Sequence, residues 1–432
     1  MPSYLSPGVY VEEVPPLARP IAGVGTSTPG FIGVIPDTVQ IPAPTISTDA
    51  ATDIARGFKY VDVTLPAAAS AHFITTWSQY TKLFGDFVGD SSAKATTAAS
   101  PAVNAGQSNL AHAVYGFFDN GGTGCYVTRV ATDADLPKAL TAFAQIDDIS
   151  MVAAPGLTGA SDYTALEAHC AKLLDRVAIL DCVQTDSGTA FASGDFTPLE
   201  NTPSETPAGV RPPNSDFSAA YFPWIQVADP ATALIGAKAT PPSSGLIYVP
   251  PSGHIAGIYA RVDANRGVFK APANEPVLGA TALQWMLSKA DQDNLNPKGV
   301  NIIRALGGSL QVWGARTVGG DANGDYKYIS TRRYFNYLRK SIEQGTQFVV
   351  FEPNNTSLWQ RIIRSVSDFL LNEWHAGALF GDTPKQAFFV RCDENTNPPE
   401  VREAGEVVTE IGVAIVKPAE FVIFRIQQTT GR

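Results

Sequence analysis

The sequence predicts an α/β fold of several domains, more specifically an α+β multidomain chain with an extended strand-like segment at each end. Two observations support this class. The chain has 432 residues, and a chain of this length usually forms roughly two to four domains. Apolar strand-like runs alternate with helical patterns through the middle of the chain, which is typical of a mostly parallel sheet covered by helices.

Residues 1–20 are predicted to form an extended N-terminal arm. The segment reads "SPGVYVEEVPP" at its centre, where Val9 and Val11 point to one side of a strand and Tyr10 and Glu12 to the other. Prolines and a glycine delimit the run on both sides. The linker "LARPIAGVGTSTPGF" follows in place of a second strand, so the partner of this strand has to come from elsewhere.

Residues 21–134 are predicted to form the N-terminal part of the chain that follows the arm. The run "GFIGVIP" is typical of a buried strand. Residues 37–72, rich in Pro, Ala, Thr and Asp, are predicted to be an inserted loop or small hairpin. The apolar helix "LAHAVYGFFDNGG" ends at an Asn-Gly-Gly stop signal, and the strand "CYVTRVA" follows it.

Residues 135–280 are predicted to form an α/β domain. The runs "ISMVAAPG", "DYTALEAHCAKLLD" and "VAILDCV" indicate strand, helix and strand in turn. Residues 186–215, rich in Ser, Thr, Pro and Gly, are the predicted exposed insertion. This alternation predicts a sheet with helices on its faces.

Residues 281–418 are predicted to form a C-terminal domain, and residues 419–432 a C-terminal strand arm. The run "TRRYFNYLRKSIEQGTQF" is predicted as a helix and "FVVFEPN" as a strand. The strongest helical periodicity lies in "SLWQRIIRSVSDFLLNEWHAGAL", whose apolar residues follow the i, i+3, i+4, i+7 rule. Strands are predicted in "QAFFVRCDE", "VVTEIGVAIVKP" and, at the end of the chain, "EFVIFRIQQ".

Charge and cysteine content narrow the class of protein. The formal net charge is −10, whereas a general nucleic-acid binder needs a basic footprint. The four cysteines are far apart and form no Cys-x-x-Cys pair, which favours buried thiols in a reducing compartment. We find no signal-peptide pattern and no run of 18 apolar residues, so we expect cytoplasmic synthesis, no nucleic-acid partner and no membrane insertion.

The sequence offers little support for catalysis. The motif "GVGTST" lacks the third glycine of a dinucleotide-binding loop, and the five histidines are not at metal-ligand spacing. We therefore expect no catalytic residue, no cofactor and no metal. An enzyme on the α/β middle domain stays the alternative function, because catalytic residues can converge from distant positions.

One basic cluster stands out in this acidic chain. It contains Lys327, Arg332, Arg333, Arg339 and Lys340. It is either a solvated helix face or a docking patch for an acidic partner, and the sequence leaves both interpretations open.

The terminal strands predict self-assembly. A lone strand leaves a row of unpaired backbone groups, which favours its addition to the sheet of another molecule. If both ends do this, each subunit links to two neighbours, and contacts that do not close produce a helical filament or tube.

Six blocks of the sequence run in order over nearly the whole chain: "YLSPGVYVEEVP", "LAHAVYGFFDNGGTGCYVTRV", "YVPPSGHIAGIYARVDANRGVFKAPANEPV", "GVNIIRALGGSLQVWGARTV", "YISTRRYFNYLRKSIEQGTQFVVFEPNNTSLWQRI" and "GALFGDTPKQAFFVRCDE". Together they resemble the contractile tail sheath family, which includes phage tail sheaths, R-type pyocin sheaths and sheaths of phage-like contractile injection systems.

The resemblance implies a function and a set of partners. The chain would polymerise with itself as a helical array of stacked hexameric rings around an inner tube. A baseplate signal would trigger contraction, which would drive the tube through a target envelope. The inner tube protein, the baseplate and terminal cap proteins would be its partners. The particle would be a phage tail or tail-like particle, released or cell-associated. A static capsid-like or tail-tube protein is a third hypothesis, which the length of the chain disfavours.

The resemblance also implies which residues act in assembly. The sheet of the inner domain, which the N-terminal start and the C-terminal third would build together, would be completed by arms of neighbouring subunits. The matching strand residues are Val9, Tyr10, Val11, Glu12, Glu13 and Val14 at one end, and Phe421, Val422, Ile423, Phe424, Arg425 and Ile426 at the other. The tube would contact either the basic helix, with Arg332, Arg333, Arg339 and Lys340, or the stretch from Trp374 to Lys385. By the same resemblance, residues 281–418 would belong to the inner domain, with residues 21–134 partly packed with it. Residues 135–280 would be the outer domain and would form a helix-covered mixed sheet.

Overall fold

The computed structural model describes residues 20–90, 103–186, 188–238, 242–421 and 423. These residues form two compact units. The large unit contains residues 25–337 together with the described residues from 417 on, and the small unit contains residues 20–24 and 338–416. The predicted bounds at residues 135 and 280 stay a prediction.

The large unit is a mixed α/β structure. Its strands are β1 (Pro29–Val34), β2 (Thr38–Pro44), β3 (Phe58–Thr64), β4 (His72–Ile74), β5 (Cys125–Val130), β6 (Met151–Ala153), β7 (Val177–Asp181), β8 (Ser218–Phe222), β9 (Ile225–Ala228), β10 (Leu246–Val249), β11 (Glu275–Pro276), β12 (Ala280–Leu283), β13 (Val300–Leu306) and β14 (Ser309–Val312). Its helices are α1 (Ala51–Arg56), α2 (Trp77–Phe84), α3 (Ala105–Asp119), α4 (Leu136–Phe143), α5 (Ala160–Leu173), α6 (Ala190–Ser193), α7 (Pro230–Ile235), α8 (Ser252–Arg266) and α9 (Lys289–Leu295).

The main sheet has the strand order β11-β14-β13-β8-β7-β6-β1-β5-β4. The central strands, from β13 to β5, pair in parallel, while β4, β14 and β11 pair antiparallel at the two sides. Strands β7 and β8 are buried throughout, as expected for parallel strands that are covered on both faces. The predicted α/β class is confirmed, and strands from either side of residues 135 and 280 lie in this one sheet.

Alternate residues of the strands face two separate cores. Phe31 and Ile179 belong to the core that includes the apolar residues of α3 and α8. Ile32 and Leu180 belong to the core that includes those of α4 and α5. The period of two along a strand therefore places a helical layer on each face of the sheet.

Two smaller sheets complete the large unit. Strands β10, β9 and β12 form an antiparallel sheet of three. Strands β2 and β3 pair antiparallel from Thr38 with Thr64 to Pro44 with Phe58. Residues 37–72 thus contain a hairpin, which is one of the two forms predicted for this insertion.

The small unit has a simple helix-and-hairpin construction. Helix α10 (Ile329–Gly345) contains the boundary between the two units. It is followed by α11 (Thr356–His375), α12 (Pro384–Ala387), β15 (Phe388–Arg391), α13 (Pro399–Glu403) and β16 (Glu410–Val413). Helix α11 begins at an Asn355 side chain that accepts a hydrogen bond from the Leu358 N–H. Its buried stripe includes Trp359, Val366 and Leu370, as the sequence predicts.

One predicted strand is wrong. The run "FVVFEPN" forms a short 3₁₀ turn, Gln347–Val349, followed by an exposed bend. Val350 is 57% exposed and Phe351 is fully exposed with a φ of 67°. Strand-forming residue types specify a strand only where a partner strand lies alongside, and within the described residues none pairs with this segment.

Candidate assembly site

The small sheet of β15 and β16 is the first candidate assembly site. Phe388 pairs with Val413 and Arg391 with Glu410 in an antiparallel register. Phe388 and Val390 are half-buried and Phe389 and Arg391 exposed, so alternate side chains face opposite sides of the sheet. Helix α11 packs against β15, which leaves the face that carries Phe389 in solvent.

The exposed face of this sheet is held by two local contacts. A Cβ atom at Gly412 would lie 2.1 Å from the ring of Phe389, so glycine lets this ring lie flat across the neighbouring strand. Beside it, Arg391 forms an ion pair with Glu410. Phe389 is 56% exposed and the nearby Phe380 is 73% exposed, so this face remains substantially apolar.

Backbone hydrogen bonds show which edges of the small sheet are occupied. The Ala414 N–H donates to the Ala387 carbonyl at 2.8 Å, and the Ala414 carbonyl accepts from the Phe380 N–H at 2.7 Å. In an antiparallel ladder the N–H and C=O of one residue point to the same side. Both neighbours therefore occupy one side of residues 410–416. Among the described residues no strand pairs with the other side, nor with the outer edge of β15.

The residues that lead into the N-terminal arm belong to the small unit. Ile21 is buried, and a Cβ atom at Gly345 would lie 2.6 Å from its Cγ1 and Cγ2 atoms. The Val24 N–H donates to the Ser341 Oγ at 3.1 Å. The chain thus reaches the small unit along the last turns of α10. The predicted strand residues Val9 to Val14 lie outside the described residues.

The residues that lead into the C-terminal arm belong to the large unit and are held by charge. The Glu420 carboxylate accepts two hydrogen bonds from Arg316, from Nε and Nη2, each of 2.8 Å. It also accepts from the Asn296 Nδ2 at 2.6 Å and from the Tyr328 hydroxyl at 2.8 Å. We call these four residues the Glu420 cluster.

Protonation of Glu420 is opposed by its partners. Burial raises the pKa of Glu420, but hydrogen bonds from Arg316, Asn296 and Tyr328 outweigh this effect and hold the pKa below its usual value. Burial and the neighbouring carboxylate raise the pKa of Tyr328 to about 12. At neutral pH the cluster therefore pairs an ionised carboxylate with a protonated phenol.

Beyond Glu420, the predicted strand residues are only partly described. Phe421 and Ile423 have side chains 70% and 79% exposed. Val422, Phe424, Arg425 and Ile426 lie outside the described residues. The apolar residues next to the Glu420 cluster are therefore presented to solvent by this single chain.

The basic cluster requires a correction, because two of its members are buried in the large unit. Arg333 is 4% exposed and donates to the two carboxylate oxygens of Asp263 at 2.9 and 2.6 Å. Arg332 forms an ion pair with Asp216, and its guanidinium carbon lies 3.5 Å from the centre of the Tyr326 ring. Neither arginine is a solvated charge or a docking residue of the free surface, since both are neutralised inside the fold.

The other predicted tube-facing residues have different surroundings. Arg339 and Lys385 are exposed, and Lys340 is half-buried. Trp374 is half-buried and donates from its indole nitrogen to the Gly381 carbonyl at 2.8 Å. Lys327, the first member of the basic cluster, forms an ion pair with Asp321 at 2.6 Å.

The perturbed carboxyl groups of the middle region have structural partners. Burial raises the pKa of Asp181 to about 6, and this carboxylate accepts from the Ser252 N–H at 2.8 Å and the Ser252 hydroxyl at 2.7 Å, next to the start of α8. Burial raises the pKa of Glu167 to about 7, and its carboxylate accepts from the Ser218 hydroxyl at 2.7 Å. Both groups therefore join a helix to its neighbours in the core.

In the part of the chain that the structure describes, no group of three His, Cys, Asp or Glu side chains is placed to hold a metal ion. The described helices include none long and apolar enough to cross a membrane. The four cysteines are buried free thiols.

Family models match most of the chain. Residues 129–318 match the phage tail sheath protein central domain, and residues 321–429 match the phage tail sheath C-terminal domain. The chain belongs to the contractile tail sheath family. It is a structural sheath subunit of a phage tail or phage tail-like particle. The second match includes the small sheet, Tyr328, Glu420 and the start of the C-terminal arm, while Arg316 and Asn296 of the Glu420 cluster lie in the first match.

Curated relatives agree with this assignment. The chain is similar to the tail sheath protein of Burkholderia phage BcepMu, with 23% identity over 98% of this chain and 96% of that protein. It is also similar to the tail sheath protein of Vibrio phage KVP40, with 29% identity over 41% of this chain. That match spans about a quarter (26%) of the length of the Vibrio phage protein.

Solved structures of contractile particles share the fold. The sheath complex of the extracellular contractile injection system PVC, in its contracted state, has a TM-score of 0.69 and 25% identity, and the match covers 100% of this chain and 99% of that one. A chain of the anti-feeding prophage baseplate, 6-fold symmetrised, has a TM-score of 0.67 and 27% identity over 99% and 100% of the two chains.

Proposed function

We propose that this subunit polymerises as stacked hexameric rings around an inner tube and contracts to drive the tube through a target envelope. The observation that carries the proposal is the small sheet, whose two outer edges are unpaired among the described residues and which lies in the unit that the family's C-terminal domain covers. The similarity to a contracted sheath and to a 6-fold baseplate supports it. The subunit does not act as an enzyme in this proposal.

The sheet edges explain how neighbouring subunits would be joined. Residues 410–416 present an open ladder of backbone donors and acceptors on one side, and β15 presents another on the opposite side of the sheet. An extended segment adds to such an edge by backbone hydrogen bonds. We propose that residues 9–14 and 421–426 of neighbouring copies occupy these two edges and keep the subunits linked during contraction.

The tube, the baseplate and the terminal cap proteins are the remaining proposed partners. Arg339 and Lys385 carry exposed charge; Lys340 follows Arg339 directly, and Trp374 begins the stretch that ends at Lys385. We propose that the tube contacts one of these two surfaces of the small unit, either the end of α10 or the stretch from Trp374 to Lys385. Arg332 and Arg333 are left out because their guanidinium groups are buried.

Electron microscopy of the purified full-length chain, alone and with the tube protein, tests this proposal. We expect striated hollow cylinders, and we expect none from a variant that lacks residues 1–14, because the linking strand is removed. Monomers from the full-length chain even with the tube protein, or long tubes from the truncated chain, would contradict the proposal.

A further inference from the structure

The residues that bind Glu420 are held in place by other contacts within the large unit. Arg316 is 2% exposed, and its N–H donates to the Asn301 side-chain oxygen at 2.7 Å. Its guanidinium Nη1 also donates to the Asn296 carbonyl at 3.0 Å and to the Asp321 carboxylate at 3.1 Å. Arg316 and Tyr328 are themselves joined by a β-bridge. The fork of donors that receives Glu420 is thus oriented by the fold of this unit.

Attachment of the residues from 417 on is concentrated at Glu420. Lys417 contacts Asp325 at 3.4 Å, and both side chains are more than half exposed. Phe421 and Ile423 are exposed. A two-pronged contact between a guanidinium and a carboxylate fixes direction as well as distance and is stronger than an exposed ion pair. Glu420 therefore sets the position from which the following residues leave the large unit.

We propose that Glu420 is the anchor that holds the root of the C-terminal arm on the large unit, so that tension on the arm passes to Arg316. The inference rests on the proposed function for the source of that tension. Without the anchor, a pull on the arm would reach residues 410–416 directly and peel them from β15 one hydrogen bond at a time. With the anchor, the pull acts on several charge-assisted hydrogen bonds at once.

Hydrogen exchange on the unassembled full-length chain tests the anchor. In Glu420→Ala we expect the backbone amides of 419–423 to exchange about tenfold faster or more, because a charge-assisted pair is lost. Tyr328→Phe removes one of the four hydrogen bonds to the carboxylate and should give a smaller increase. It also keeps the test valid if Glu420→Ala folds poorly. Lys417→Ala, in the same segment, is the matched control and should change little.

The mechanical stability of assembled tubes tests whether Glu420 carries tension from the C-terminal arm. We expect Glu420→Ala and Tyr328→Phe tubes to break into shorter pieces than wild-type tubes under the same shear, while Lys417→Ala tubes do not. The melting temperature of the unassembled Tyr328→Phe chain should stay close to that of wild type, so general instability does not account for breakage. Unchanged exchange at 419–423 in both variants would show that Glu420 does not anchor the segment. Unchanged breakage would show that Glu420 carries no tension in the assembled tube.

The two tests separate this inference from the proposed function. If the wild-type chain forms no tubes even with its tube protein, the proposed function fails. The proposal that Glu420 carries tension in the tube then fails as well. The exchange measurement on the unassembled chain would then still decide whether Glu420 holds the segment.

Discussion

The two units hold the chain by different chemistry at the places that lead into the arms. The small unit holds residues 20–24 with the buried apolar side chain of Ile21 and a hydrogen bond from the Val24 N–H to the Ser341 hydroxyl. The large unit holds Glu420 with a buried arginine and two neutral donors. Apolar packing has little directional preference, whereas the charged cluster specifies an orientation. The difference indicates that residues 20–24 can change orientation more easily than the segment at Glu420.

The large unit uses a second buried arginine where it begins. The Thr26 hydroxyl donates to Asp263 at 2.6 Å, and Arg333 donates to the Thr26 carbonyl at 3.0 Å. Arg333 and Asp263 are both nearly inaccessible, with side-chain exposures of 3% and 4%. The large unit thus uses a buried arginine to hold the chain near Thr26, where the unit begins, and again at Glu420. The two units can therefore be compared by mutation.

The largest expected effect comes from breaking the Arg333 pair. Arg333→Met leaves the Asp263 carboxylate buried without its main partner, and we expect the free energy of unfolding to fall by about 3–5 kcal/mol. Urea denaturation followed by tryptophan fluorescence measures it. Arg339→Met, an exposed position on the same helix, is the control and should change stability by less than about 0.5 kcal/mol. Equal effects at the two positions would show that the buried pair contributes little.

A smaller effect is expected from crowding the apolar contact of the small unit. Gly345→Val places side-chain atoms where Ile21 lies, and overpacking of this kind costs about 1–3 kcal/mol. We expect faster hydrogen exchange over 20–24, with the residues from 417 on unaffected. Gln344→Val, at the preceding exposed position, controls for a β-branched residue near the helix end. If exchange over 20–24 did not change, Ile21 would not be the contact that holds this segment.

The smallest effect is a difference in the pH dependence of hydrogen exchange between residues 20–24 and residues 419–423. The pKa of Glu420 is lowered in the fold, so its contribution is fully present above the unfolded carboxyl value of about 4.3. The contribution is lost as the pH falls through the folded value. We expect exchange at 419–423 to rise below about pH 4 relative to exchange at 20–24, after correction for intrinsic rates.

Glu420→Gln is the control for this titration. Asp321, whose pKa is also lowered by its bonds to Lys327 and Arg316, faces the same arginine. In Glu420→Gln only the Asp321 contribution remains, so most of the acid-induced rise at 419–423 should disappear. A rise of the same size in this variant would assign the titration to Asp321.

Local sequence patterns predict the family and most of the regular elements. The apolar spacing of α11 and the continuous apolar runs of β7 and β8 are local patterns, and the structure confirms the helix and strands that they predict. The blocks quoted from the sequence identify the sheath family, which the family models confirm. Local periodicity was sufficient here because burial on one or both faces leaves a direct mark on residue order.

Which charges are buried and which are exposed depends on contacts between segments that are distant in sequence. Arg332 and Arg333 are neighbours of exposed charges in sequence, but their partners Asp216 and Asp263 lie far away along the chain. The pairing of Glu420 with Arg316, and the bend at Phe351 where a strand was expected, likewise depend on what lies alongside in space. An ion pair or a strand pairing requires two distant segments to meet, and no pattern within one segment contains that information.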